Sequence, residues 1–350
     1  MNALAFMGIR ILNIIFPILT GTYVARVLDK TYYGYFNSVD TILSFFLPFA
    51  TFGVYTYGLR AISNVRDNKN KTNKVFSQLF YLCMFCTIVT TAIYFATYNL
   101  FFENNPTLKK IYLVMGVQLV AQIFSIEWVN EALENYSFLF YKTAVIRILM
   151  LISIFAFVRD EYDIIIYTLI MALSTALNYV ISYFWIKKDV KFVRIKIGDL
   201  KPLLLPLLAM LLFANANMLY TFLDRIFLVK AGESIYVTYY TMSQRLVTVL
   251  AGVITGAIGV SLPRLGYYLG NNDHESYTYL VNKGSRVFNF FIIPLSFGLT
   301  LLGPHAILLY GSEKYVAAGT LTSLFAFNGT TRGEILLYGG EFARYRPASY

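Results

Sequence analysis

Three arginines, Arg10, Arg147 and Arg245, stand inside long apolar runs of this 350-residue chain. A central Arg in a membrane costs roughly 2.5 to 3.5 kcal/mol on insertion scales, so such a residue usually faces a cavity, a partner or a ligand. Its planar guanidinium fork matches two oxygens of a phosphate at once. Arginines held at depth therefore point to recognition of an anion. Arg147 lies ten residues after Ser137, about 15 Å along a helix that rises about 1.5 Å per residue. Arg245 is nine residues into its run, and Arg10 is in the inner half of the first. Snorkelling serves long side chains near helix ends but is a poor escape from mid-membrane. A structural Arg bonded to helix carbonyls is the competing reading of each.

Other polar residues share helical faces at the same spacing. Arg10, Asn13, Pro17 and Thr20 form one stripe; Gln118, Gln122 and Ser125 another; Thr175, Asn178 and Ser182 a third; Asn217, Thr221 and Asp224 a fourth. The longest runs through Thr241, Arg245, Thr248, Gly252, Thr255 and Gly259. Asn13, Gln122, Asn178, Asn217 and Thr248 are assigned to the lining of a hydrated cavity. Helix packing accounts equally well for the Ser, Thr and Gly members, since small residues let membrane helices approach. Acids are fewer and shallower: Asp40 begins one run, Glu127 ends another and Asp224 ends a third. Glu127, beside Trp128, reads as an interfacial residue. Asp40 and Asp224 are the candidates for coupling to a proton or Na⁺ gradient. The deep charge balance is positive.

The elements that must position these side chains are membrane helices. The chain is 57% hydrophobic and only 14% charged, with a mean hydropathy of +0.59, whereas soluble domains carry about 25% charge. That composition predicts an all-α polytopic membrane protein. Nine runs approach the ~20 residues that span hydrocarbon: 3–24, 39–59, 75–101, 111–128, 137–158, 164–186, 203–222, 236–262 and 287–309. A tenth starts near Tyr315 but degrades into "NGTTRGEILLYGGEFARYRPASY" and reads as a broken or missing span, for about nine to ten helices in all. A net charge of +10 on a soluble face would suit nucleic acid, but here Lys and Arg gather in gaps between runs, which excludes that partner. They crowd the gaps after the second, sixth and eighth runs, placing the N-terminus inside.

The basic, polar stretch 191–201 is the best internal boundary. It separates an N-terminal six-helix lobe (1–190) from a partial C-terminal lobe (202–327) and an atypical polar tail (328–350). The seventh run enters from the same side as the first, so a parallel repeat of the first lobe by the second is an expectation. Cys83 and Cys86 in "CMFC" have no second Cys or His cluster and read as small apolar side chains. His274 and His305 are isolated. With no P-loop, zinc motif or nucleophile constellation, no catalytic residue, metal or cofactor is assigned and no enzyme is expected.

Several stretches carry a resemblance: "FPILTGTYVARVLDKTYYGYFNSVDTI", "FGVYTYGLRAISNVRDNKNK", "EWVNEALENYSFLFYKTAVIRI", "DRIFLVKAGESIYVTYYTMSQRL" and "VSLPRLGYYLGNNDHESYTYLVNKGSRVFNFFIIPLSFGL". In that order they resemble bacterial Wzx-type oligosaccharide flippases of the multidrug/oligosaccharidyl-lipid/polysaccharide exporter superfamily. The resemblance implies two helical lobes around a central cavity that opens alternately to each side of the cell membrane. It implies transport of undecaprenyl-diphosphate-linked oligosaccharides to the outer leaflet for O-antigen or capsule, with Arg10, Arg147 and Arg245 on the diphosphate. A polysaccharide polymerase and glycosyltransferases are the partners it implies. Relatives continue through further helices beyond Asn328, so the resemblance also implies a second lobe that is incomplete. Two alternatives remain: a cation-coupled drug antiporter of the same superfamily, which needs deep acids in the first lobe, or an inactive truncated flippase. A lipid-linked glycosyltransferase or polymerase would instead show a long loop with clustered acids or histidines.

Overall fold

The computed structural model describes residues 2–102, 105–259 and 273–335, together with residues 265, 268 and 271. Every regular element among them is helical. In chain order these are α1 (Asn2–Val27), α2 (Lys30–Thr51), α3 (Val54–Ser63), α4 (Lys69–Ala96), α5 (Tyr98–Phe101), α6 (Pro106–Ala121), α7 (Glu127–Ala132), α8 (Tyr136–Phe157) and α9 (Ile164–Ile186). They are followed by α10 (Lys201–Lys230), α11 (Ser234–Gly259), α12 (His274–Tyr310) and α13 (Ala318–Ile335).

Six stretches are long and apolar enough to cross a bilayer: Lys30–Ser63, Lys69–Ala96, Pro106–Ala132, Tyr136–Phe157, Ile164–Ile186 and His274–Tyr310. Shorter apolar segments lie at Ile15–Val27, Lys201–Phe213 and Ala318–Phe327. Side chains such as Val145, Ile148, Leu149 and Ile152 on α8 face outward. A helix satisfies its own backbone, so an apolar outer surface of this kind is what lipid requires.

Each of the nine expected runs carries a helix, but three are interrupted, the third by the turn at Thr97 between α4 and α5. The second breaks between α2 and α3, where Phe52 and Gly53 both take positive φ, 46° and 72°. The fourth breaks between α6 and α7 at a single 3₁₀ turn, Gln122–Phe124. At the expected broken tenth span, α13 is helical over Ala318–Ile335, but its apolar segment covers only Ala318–Phe327, shorter than a membrane crossing. Residues 336–350 of the expected tail lie outside the described residues.

The chain divides into two compact units, Met1–Thr238 and Tyr239–Tyr350. The first contains the whole of the expected lobe 1–190, the basic stretch 191–201 and α10. Within it α2 packs on α4, α6 and α10, α1 packs on α8, and α9 packs on both α6 and α8. Its core includes Phe76, Leu79, Trp128, Val129 and Leu207, all nearly free of solvent contact. Trp128 reaches that core because Gly58 has no Cβ, which would stand 2.5 Å from the indole Cε3. In the second unit α12 packs on α13, and a Cβ on Gly303 would meet the Gly319 carbonyl oxygen at 2.5 Å. This is the close approach of small residues that association in lipid favours.

Several helix starts are capped by a side chain, Asn68 on α4, Asn105 on α6 and Asp29 on α2. Asp29 Oδ1 accepts from the Thr31 N–H (2.7 Å) and the Tyr32 N–H (3.3 Å), satisfying donors that a helix start leaves open. The Asp29 N–H donates to the Glu161 carbonyl (3.0 Å), tying the start of α2 to the α8–α9 turn. Partial burial pushes the Asp29 carboxyl up, but the hydrogen bonds to its charged form outweigh this and hold it below the ordinary range. A lowered carboxyl contributes stability that is present above its unfolded value, about 3.9, and is lost as pH falls through the folded value. Asp29→Ala is therefore expected to cost about 1 kcal/mol at neutral pH. In thermal unfolding the gap between parent and variant should close as the buffer is acidified through that window.

Candidate functional site

Two cations stand within the length of α8, away from its ends. Lys142 and Arg147 lie six and eleven residues beyond Tyr136, so about 9 and about 16 Å up the helix. The Lys142 side chain is only 2% exposed. A buried ammonium needs every one of its donors met, and Lys142 Nζ donates to Glu127 Oε1 (2.5 Å), Ser182 Oγ (2.6 Å) and the Asn178 carbonyl (3.1 Å). Asn178 Nδ2 donates to the same Glu127 oxygen at 3.1 Å. Three helices, α7, α8 and α9, thus meet at one ion pair.

The break in the fourth span makes this geometry available. A continuous helix through 122–127 would carry Glu127 past in regular register. Instead the turn at Gln122 closes with the Ser125 N–H on the Gln122 carbonyl (3.0 Å) and the Ile126 N–H on the Phe124 carbonyl (2.9 Å). Gln122 is itself buried and its Nε2 donates to Tyr179 Oη at 3.3 Å. The α7 helix then restarts with Glu127 as its first residue.

Higher on α8, Arg147 is half-buried where α8 packs on α1. Its Nη2 donates to Asn13 Oδ1 at 2.6 Å, and its guanidinium carbon lies 5.9 Å from the centre of the Phe16 ring. A guanidinium carries five N–H donors, and the described residues occupy one of them. Among the described residues the partner of Arg147 is a neutral amide and an aromatic face, so its charge is not cancelled by direct contact.

The expected site residues divide clearly. Asn13 and Arg147 come together, Asn178 touches the ion pair, and Gln122 bonds the Tyr179 hydroxyl. Arg10 lies on α1 and Asn217 on α10, and their side chains lie outside the described residues. Arg245 is half-buried and Thr248 is exposed, both on the part of α11 that belongs to the second unit. Asp40 is corrected in depth: α2 starts at Lys30, which places Asp40 ten residues into the helix instead of at its beginning. Asp224 lies exposed, six residues before the end of α10.

Glu127 is also corrected. It is not an interfacial anchor beside Trp128: the indole is 2% exposed in the core, and the carboxylate is the counter-ion of a buried lysine. Sequence reasoning missed Lys142, because a cation near the end of an apolar run reads as a snorkelling residue. The available signal was the spacing of Asn178 and Ser182, four residues apart on one face of α9, which holds two of the ammonium's partners.

Two solved structures are similar in fold to most of this chain. The lipid II flippase MurJ in an inward closed conformation superposes with a TM-score of 0.73 at 15% identity, covering 99% of this chain and 76% of that one. An inward-facing multidrug resistance transporter of the MATE family, in the MOP superfamily, gives 0.63 at 13% identity, covering 94% of this chain and 82% of that one. No curated protein matches by sequence. The polysaccharide biosynthesis protein family matches residues 1–268, so that this all-helical membrane chain, with its fold shared by MOP-superfamily transporters, belongs to the polysaccharide biosynthesis protein family.

Proposed function

We propose that this chain is a flippase for undecaprenyl-diphosphate-linked oligosaccharide repeat units, moving them from the inner to the outer leaflet for capsule or O-antigen synthesis. The observation that carries the reading is Arg147: a half-buried guanidinium on a membrane helix, held by Asn13 and Phe16, with donors to offer an anion. Arg10 and Arg245 join it on the diphosphate. Asn13, Gln122, Asn178, Asn217 and Thr248 meet the sugar, and the prenyl chain stays in lipid. Two lobes, 1–190 and 202–327 joined by 191–201, rock around the site so that it faces each leaflet in turn. The membrane is the bacterial cytoplasmic membrane with the N-terminus inside, where a polymerase and glycosyltransferases act on the same lipid. Asp40 and Asp224 are the candidates for ion coupling. No bond in the substrate is made or broken, so the activity is transport and not catalysis.

Equilibrium binding to the purified full chain tests this reading. Undecaprenyl diphosphate should bind saturably and be displaced by inorganic pyrophosphate, while lipophilic cations should not compete. The reverse selectivity would assign the chain to drug antiport.

A further inference from the structure

The crossing from α9 to α10 has no regular structure over 190–196, yet it is not a loose tether. Side chains at the start of α4 hold its backbone. The Lys191 N–H donates to Asn73 Oδ1 (2.8 Å), the Val193 N–H donates to Ser77 Oγ (2.9 Å), and Gln78 Nε2 donates to the Asp199 carbonyl (3.2 Å). Asn73 and Ser77 are four residues apart and so share a face of α4. Val190 is buried in the core of the first unit, and the Phe192 ring centre lies 5.2 Å from that of Phe76 and 5.0 Å from that of Phe80. On this pinned strap Lys187, Lys188, Lys191, Arg194 and Lys196 are all exposed, against two acids over the same stretch, Asp189 and Asp199. Asp199 is already engaged: its carboxylate accepts the Lys196 N–H (3.4 Å) and lies 4.0 Å from Lys74 Nζ.

The strap also sits level with an aromatic rim. Lys187 and Lys188 follow directly on the span Ile164–Ile186. Lys187 Nζ stands 4.6 Å from the centre of the Tyr183 ring, and Lys188 Nζ 4.5 Å from that of Trp185. Phe184 and Trp185 are exposed, and exposed rings at the end of a membrane helix mark the headgroup level. Phe192 and Val193 are exposed beside the cations. A bilayer surface meets both kinds of side chain at once, the apolar ones at the acyl boundary and the basic ones at phosphate. A soluble acidic partner would answer the cations and leave Phe192 and Val193 in water.

We infer that the strap 187–199 is a docking surface for the anionic phospholipid headgroups of the leaflet in which α9 ends. A Lys or Arg that only sets topology needs a place in the right loop and no fixed geometry. Here the backbone that carries the cations is bonded to α4, an arrangement that topology alone does not require. The inference is independent of the flippase reading, because it uses the span and the charge of the strap and not the cargo.

Trp185 reports on this surface, since it is exposed under Lys188 while the other tryptophan of the chain, Trp128, is buried in the core. The test reconstitutes the full chain in vesicles of phosphatidylcholine and phosphatidylglycerol with bromine on the acyl chains of one lipid or the other. Quenching is read against the same protein in unbrominated lipid, and Trp185→Phe should remove the quenchable emission. A basic residue near a charged membrane surface is worth roughly fivefold in affinity, so phosphatidylglycerol should be preferred at Trp185 by about fivefold or more at low salt. The preference should fade as salt rises from about 0.01 to about 1 M, over which the Debye length falls from about 30 to about 3 Å. Lys187→Gln/Lys188→Gln/Lys191→Gln/Arg194→Gln should abolish it, whereas Lys187→Arg/Lys188→Arg/Lys191→Arg should keep it. Equal quenching by the two lipids in the parent at low salt overturns the inference, as does a preference that salt or the glutamine variant leaves unchanged. The salt series on the parent decides the question even where the glutamine variant does not fold. Relief of phosphatidylglycerol quenching by a trace of undecaprenyl diphosphate would assign the surface to that lipid and also overturn the inference.

Discussion

Arg147→Ala is expected to weaken diphosphate-lipid binding, and to slow transbilayer movement, by about tenfold or more, since a hydrogen bond to a charged group contributes about 1.5–3 kcal/mol. Stability should change little. The variant loses one hydrogen bond to Asn13 and one aromatic contact with Phe16, but it also removes a charge from a half-buried site, and the two effects oppose each other. Arg147→Lys keeps the charge and loses the fork, so it should fall between parent and alanine variant. Binding constants and thermal midpoints measured on the same preparations check the separation. A variant that binds normally would show that the anion is held elsewhere.

Gly53→Val should largely prevent recovery of folded protein. Gly53 has φ +72°, a region that costs a side-chain-bearing residue of order 1–3 kcal/mol. A Cβ at that position would also stand 2.6 Å from the Leu207 carbonyl oxygen and 2.8 Å from the Leu211 N, both backbone atoms of α10. Backbone cannot swing aside as a side chain can, so α10 must move away from the α2–α3 break. Gly232 separates the two causes: its φ is +89°, but a Cβ there meets nothing within 4 Å. Gly232→Val should therefore carry the conformational cost alone. Monodisperse yield and thermal midpoint of the two variants should differ widely, and equal values would remove the packing argument.

What was legible in the sequence follows from which forces act locally. Apolar runs of membrane length mark helices because lipid leaves the backbone no alternative, and each expected run carries one. Arg147 was singled out by depth and Asn13 by its place on the first polar stripe, but the bond between them depends on the packing of α1 on α8. The break after Ala121 was not legible, since neither Gly nor Pro marks it and its turn is closed by Ser125 and Ile126 N–H groups. With the break unseen, Glu127 stayed at a helix end. Lys142, whose partners come from α7 and α9, could not be told from a snorkelling cation. Where a tertiary contact decides a side chain's surroundings, helical spacing supplies the face but not the partner.

The most direct test of the account is transbilayer movement of a fluorescent undecaprenyl-diphosphate oligosaccharide in proteoliposomes of the full chain, read against protein-free vesicles. The account predicts movement in the parent that collapses in Arg147→Ala while a neutral phospholipid is left unmoved. Parent vesicles that move the lipid no faster than protein-free ones, with the chain folded and inserted, would contradict it.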